Sequence, residues 1–263
     1  RRRVRFAVVG HIATRLAESF GWHSVFGLAI IPLALTLIVF SLWTENPPGA
    51  PGAQKVGYIT LLKEPDTYRF CFFYAVTFGG FAGLASFMPI FIHDQYSAST
   101  VLAGDLTSLC VLSGSLMRPL GGWLSDRWGG LRVLMALYGL ISVGLLAMAG
   151  LPPLAGAVVL LFCVLGFMGL GNGAVFQLVP QRFAGKVGAI TGLVGAGGGI
   201  GGFFFPLILG WFKQYRGSFG FGFAVFAALA GLALVSLAVA QRKWVGLWLA
   251  EGGLAMEEGR GAS

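Results

Sequence analysis

Apolar residues in this chain neither alternate nor form a single stripe; they run on without break. Seven runs reach the roughly 20 residues needed to cross a hydrocarbon core. They are Trp22 to Trp43, Thr67 to His93, Val101 to Ser125, Gly130 to Gly150, Leu154 to Val179, Lys186 to Phe212 and Ser218 to Ala240. None has the two-residue alternation of a membrane barrel strand. Backbone polar groups in lipid must then be satisfied within each segment, so the pattern predicts an all-α membrane protein with seven transmembrane helices. Most turns between them are short, which makes successive helices antiparallel neighbours in a bundle. The one long polar interruption, Thr44 to Asp66, contains Pro47, Pro48 and Pro51 among glycines and cannot continue a helix. It sets one helix apart from six.

Composition agrees, with 56% hydrophobic and 11% charged residues among 263. Trp22, Trp43, Trp123, Trp128, Trp211, Trp244 and Trp248 fall at or beyond the ends of the runs, where amphipathic rings sit at headgroup depth. Cys71, Cys110 and Cys163 stand singly in different runs. They suggest neither a metal site nor a disulfide, and read as small buried apolar residues.

A net charge of +8 could indicate nucleic acid, but its distribution points to topology instead. With Trp22 outside, the inward loops and tail collect Lys55, Lys63, Arg69, Arg127, Arg132, Arg182, Lys186, Arg242, Lys243 and Arg260. The outward loops carry only Lys213 and Arg216. This positive-inside asymmetry predicts a multi-pass protein of the plasma (inner) membrane with a cytoplasmic C-terminus, in contact with lipid and not nucleic acid. Arg1, Arg2, Arg3, Arg5 and Arg15 run against the pattern, and Phe6 to Gly10 is too short for the apolar core of a signal peptide. The region before residue 15 reads as a cut or foreign end.

The sharpest chemical signal is Arg118, the one Lys or Arg between Val101 and Ser125. A charge at that depth costs at least ~2.5 kcal/mol. Asp105 lies thirteen residues earlier, ~20 Å along a helix, too far to pair with it within the span. No other acid lies deep in a run, which favours an anion-coordinating arginine whose fork presents parallel donors. Tyr74 and Phe78, four residues apart, share a helix face. Tyr74 is open to two readings, a packing tyrosine bonded to a backbone carbonyl or a functional hydroxyl. Eight of the fifteen residues from Gly188 to Gly202 are glycine. That density permits close helix approach, bending or backbone exposure to a small ligand, and the GxGxxG within it lacks the strand a dinucleotide site needs. After Arg118 come Gly121 and Gly122, where another helix could cross, then Asp126, Arg127, Gly129, Gly130 and Arg132.

This last stretch resembles the loop signature of the major facilitator superfamily, in which the aspartate works as a conformational latch. Gly122, Asp126, Arg127 and Arg132 would be its members. YAVTFGGFAG (Tyr74 to Gly83), LMRPLGGWLSDRWGG (Leu116 to Gly130), GLGNGAVFQLVPQRF (Gly169 to Phe183) and GLVGAGGGIGGFFFP (Gly192 to Pro206) are similar to the nitrate/nitrite porter family of that superfamily. RLAESFGWHSVFGLAIIP (Arg15 to Pro32) resembles the family's entry to its sixth helix. The resemblance implies helices 6 to 12 of such a transporter. Residues 15–43 would be the last helix of a first half, 44–66 a cytoplasmic linker, 67–240 a six-helix second half and 241–263 a cytoplasmic tail. It implies no enzyme, cofactor or metal, and alternating-access transport of nitrate and nitrite. Arg118, Tyr74 and Phe78 would bind the anion, with Gly195, Gly197, Gly198 and Gly199 in the second glycine-rich signature.

The family's arginine on helix 2, asparagine on helix 5 and first glycine-rich signature have no counterpart here. The expectation is therefore a fragment whose site is completed by a missing N-terminal half. The absence of deep carboxylates leans towards exchange over proton-linked import. A carrier for another small anion, or a non-functional truncated product, is the alternative reading. Against an enzyme, the runs contain no paired carboxylates, no His or Cys cluster and no nucleophile beside a base.

Overall fold

The computed structural model of the protein describes residues 21–44 and 58–249. The expectations about residues 1–20, the proline-rich part of the linker and the tail beyond Leu249 lie outside that range. Among the described residues seven helices are long and apolar enough to span a membrane. They are α1 (Trp22–Trp43); a composite span of α3 (Pro65–Tyr74), a π-helical turn (Ala75–Gly79) and α4 (Gly80–Tyr96); α5 (Thr100–Trp128); α6 (Gly130–Ala149); α7 (Leu154–Arg182); α8 (Val187–Arg216); and α9 (Gly220–Trp244). A short helix, α2 (Tyr58–Leu62), precedes the composite span.

Local chemistry sets the ends. Pro65, whose missing N–H would be an orphan donor anyway, opens α3. The Ser99 hydroxyl caps α5 by accepting from the Leu102 amide. Gly129 and Gly217, at φ 90° and 67°, end α5 and α8 in conformations other residues rarely adopt. Two helices outrun their apolar stretches, α7 to Arg182 and α9 to Trp244, where both side chains bond to Asp66.

The bundle is held by close backbone approach. Side chains added at Gly114 or Gly121 of α5 would meet carbonyl oxygens of α7, at Leu165 and Leu170. Side chains at Gly169 or Gly173 of α7 would meet the carbonyls of Gly114 and Arg118 in return. The crossing expected from Gly121 and Gly122 is therefore made by Gly121, while the side-chain position of Gly122 faces open space. On the other flank α8 lies against the composite span, Gly201 against Ala75 and Gly197 against Cys71. Hydroxyls bridge helices to carbonyls, Ser113 to Phe162 (2.8 Å) and Ser142 to Ala227 (2.8 Å). Helix α6 packs on α7 and α9, and Leu134, Tyr138, Ile141 and Leu145 on it are fully buried.

Two sequence expectations are corrected. Trp244 is not an interfacial ring: it ends α9, is 2% exposed, and stacks on Phe70 at 5.3 Å. Cys163 is exposed, because it lies on the outward face of α7; Cys110 is buried and Cys71 half-buried.

Candidate functional site

The composite span carries the first part of the site. Between α3 and α4 the helix widens for one π turn, a feature often found at functional sites. The Phe73 carbonyl at its start accepts from the Tyr138 hydroxyl of α6 (2.9 Å) and from the Thr77 hydroxyl (3.3 Å). Across this turn Tyr74 and Phe78 stack face to face, 5.0 Å apart and nearly parallel. Phe176 of α7 meets Tyr74 edge-on at 4.7 Å. The Tyr138 hydroxyl is thus bonded to a backbone carbonyl. The Tyr74 hydroxyl has no hydrogen bond to a described residue.

Arg118 reaches this aromatic group from α5. Its guanidinium carbon lies 5.5 Å from the Phe78 ring centre and 4.8 Å from that of Phe81. The two rings hold the cation by their electron-rich faces, worth about 0.5–2 kcal/mol each, and leave its charge uncancelled. The Nε atom is buried without a hydrogen-bond partner. No carboxylate among the described residues pairs with Arg118; the ion pairs of Asp66 and Glu64 lie together at one end of the bundle.

The third wall is α8. A side chain at Gly198 would lie 2.5 Å from Tyr74 and 2.9 Å from Phe78, so only glycine lets the helix close on the stacked pair. Gly197 abuts Cys71. Gly195 and Gly199 have no described atom within 4 Å of a side-chain position and face away from Tyr74 and Phe78. The structure therefore brings together Arg118, Tyr74, Phe78 and Gly198, with Gly197 beside them.

Sequence reasoning missed Asn172 of α7. It is 4% exposed, and neither its amide nitrogen nor its oxygen has a hydrogen-bond partner. An unmet buried polar atom costs about 1–3 kcal/mol. The available signal was a lone asparagine inside a 29-residue apolar helix.

Of the residues expected to form a latch, Asp126 and Arg127 lie in the last turn of α5 and Arg132 in the first turn of α6. Asp126 accepts from the Gln177 amide of α7 (3.0 Å), and the Arg127 guanidinium lies 5.7 Å from the Trp123 ring. Arg132 is exposed, and the side-chain position of Gly122 is open. A larger polar cluster stands at the same end. Asp66 accepts from Arg69 (2.7 Å), Arg182 (2.6 Å) and the Trp244 indole (3.1 Å). Glu64 pairs with Arg182 (3.5 Å) and Lys186 (3.4 Å). The sequence showed these cations only as a topological bias, and their two shared acids lie in the expected linker. Lys213 and Arg216, the exceptions to the expected charge bias, rest on the rings of Phe219 (4.7 Å) and Phe221 (5.7 Å).

The family model described as Major Facilitator Superfamily matches residues 6–206 and 70–251. The chain is 35% identical over 213 residues to the probable nitrate/nitrite transporter NarK2 of Mycobacterium tuberculosis, covering 78% of this chain and 53% of that protein. It is 31% identical over 236 residues to the nitrite extrusion protein of Bacillus subtilis, covering 87% and 59%. Against the probable nitrate/nitrite antiporter NarK1 of Thermus thermophilus it is 32% identical over 243 residues, covering 82% and 53%. The chain thus spans a little over half the length of these relatives.

Proposed function

Because the chain belongs to the Major Facilitator Superfamily, a family of transporters rather than enzymes, we propose that it serves the secondary transport of nitrate and nitrite by alternating access. The names of its relatives support that substrate class. The observation that carries the reading is Arg118, a guanidinium seated on Phe78 and Phe81, its Nε unpartnered and no carboxylate paired with it among the described residues.

Nitrate and nitrite are small planar oxyanions, and a guanidinium fork offers parallel donors to two of their oxygens. The Tyr74 hydroxyl supplies another donor, and the Tyr74–Phe78 stack gives the anion a flat neighbour. Gly198 keeps α8 close enough to bound the site. In this reading the helices correspond to helices 6 to 12 of a complete transporter, and the open glycine face of α8, Gly195 and Gly199, is turned towards the other half. The latch is Asp126 with Gln177, at the cytoplasmic end.

The test is uptake of labelled nitrate by proteoliposomes holding the product of this gene, with nitrite or formate as competitor. Competition by nitrite and not by formate is the expected result. Formate uptake that nitrate fails to inhibit would transfer the reading to another small anion.

A further inference from the structure

We propose that Asn172 is a second, uncharged ligand of the anion, donating a hydrogen bond from Nδ2 while its Oδ1 accepts from the Nε of Arg118. The proposal rests on the reading of Arg118 as the substrate arginine.

The helix period fixes where Asn172 points. Met168, Asn172 and Phe176 are four residues apart and form one stripe along α7. Both outer members touch the composite span: the Met168 methyl lies 2.8 Å from a side-chain position at Gly80, and the Phe176 ring meets Tyr74. Asn172 therefore faces the same span between Tyr74 and Gly80, at the π turn that carries Phe78. Its sequence neighbours confirm the level. A side chain at Gly171 would lie 2.6 Å from the Thr77 methyl, and one at Gly173 would overlap the Arg118 carbonyl.

The chemistry is complementary. Arg118 has a buried donor without an acceptor, and Asn172 has a buried acceptor and donor without partners. An apolar residue of similar size would fill the same place with no unmet polar atoms, so packing alone gives no reason for an amide there. An anion that accepts from the terminal nitrogens of Arg118 and from Nδ2 of Asn172 would leave Nε and Oδ1 to each other. A neutral donor adds contact without a second positive charge.

The experiment is calorimetric titration of nitrate, with thermal unfolding in the same detergent, on the wild-type gene product and on Asn172→Leu, Asn172→Asp and Arg118→Lys. Asn172→Leu should bind nitrate at least about tenfold more weakly, a loss of the size expected for a hydrogen bond to a charged group. Its unfolding midpoint should hold or rise. Asn172→Asp, which sets a carboxylate beside the anion, should bind more weakly still. Nitrate affinity within twofold of wild type in Asn172→Leu overturns the proposal, as does weaker binding with a lowered midpoint, which marks a structural role. If the leucine variant does not fold, the isosteric aspartate decides alone, and unchanged affinity there overturns the proposal. Arg118→Lys separates the two readings. Wild-type affinity in that variant removes the anion site itself, whereas loss in Arg118→Lys alone removes only Asn172.

Discussion

Tyr74 and Tyr138 flank the same π turn and do different work. Tyr138 donates to the Phe73 carbonyl inside a fully buried contact, so Tyr138→Phe should lower stability by about 1 kcal/mol, seen as an earlier thermal unfolding midpoint. The Tyr74 ring packs against Phe78 and Phe176, and Phe preserves that packing. Tyr74→Phe should leave the midpoint unchanged and weaken nitrate binding roughly tenfold, the worth of one hydrogen bond to a charged group. Arg118 was legible in the sequence because a charge in an apolar run is a chemical exception that needs no structure to notice. The role of Tyr138 was not legible, since it lies in an apolar run and only the approach of α6 to Phe73 shows what its hydroxyl meets.

At the scale of the helices, small residues decide how closely the backbones meet. Gly121 of α5 lies against the Leu170 carbonyl, whereas the side-chain position of Gly122 is open. Gly121→Val should therefore disrupt the α5–α7 crossing and sharply lower the yield of monodisperse protein in size-exclusion chromatography, while Gly122→Ala should fold as wild type. Gly198→Ala should fold with the Tyr74–Phe78 stack displaced, and lose nitrate affinity more than stability. The glycine run of α8 was plain in the sequence. Its two faces were not, because Gly197 and Gly198 differ from Gly195 and Gly199 only in what stands opposite. The existence of each span was legible from the length of its apolar run. The helix ends were not, because Arg182 and Trp244 extend their helices through contacts with Asp66, more than a hundred residues away in sequence.

For the whole molecule, that carboxylate ties the start of α3 to the ends of α7 and α9. Asp66 is 7% exposed and accepts from Arg69, Arg182 and Trp244. Removing it strands Arg69 and an indole N–H and leaves Arg182 with Glu64 alone. Asp66→Ala should cost roughly 3 kcal/mol, read as a fall in the unfolding midpoint that Asp66→Glu partly restores. The site lies elsewhere, on the aromatic and glycine faces within the bundle, where α5, α7, α8 and the composite span converge. There, in the proposed function, Arg118 holds the anion. The most direct measurement is an experimental structure of the gene product with nitrate. A planar anion within about 3 Å of the Arg118 guanidinium, beside Tyr74 and Phe78, is the expected result. Nitrate bound elsewhere, with Arg118 paired to a carboxylate, would contradict it.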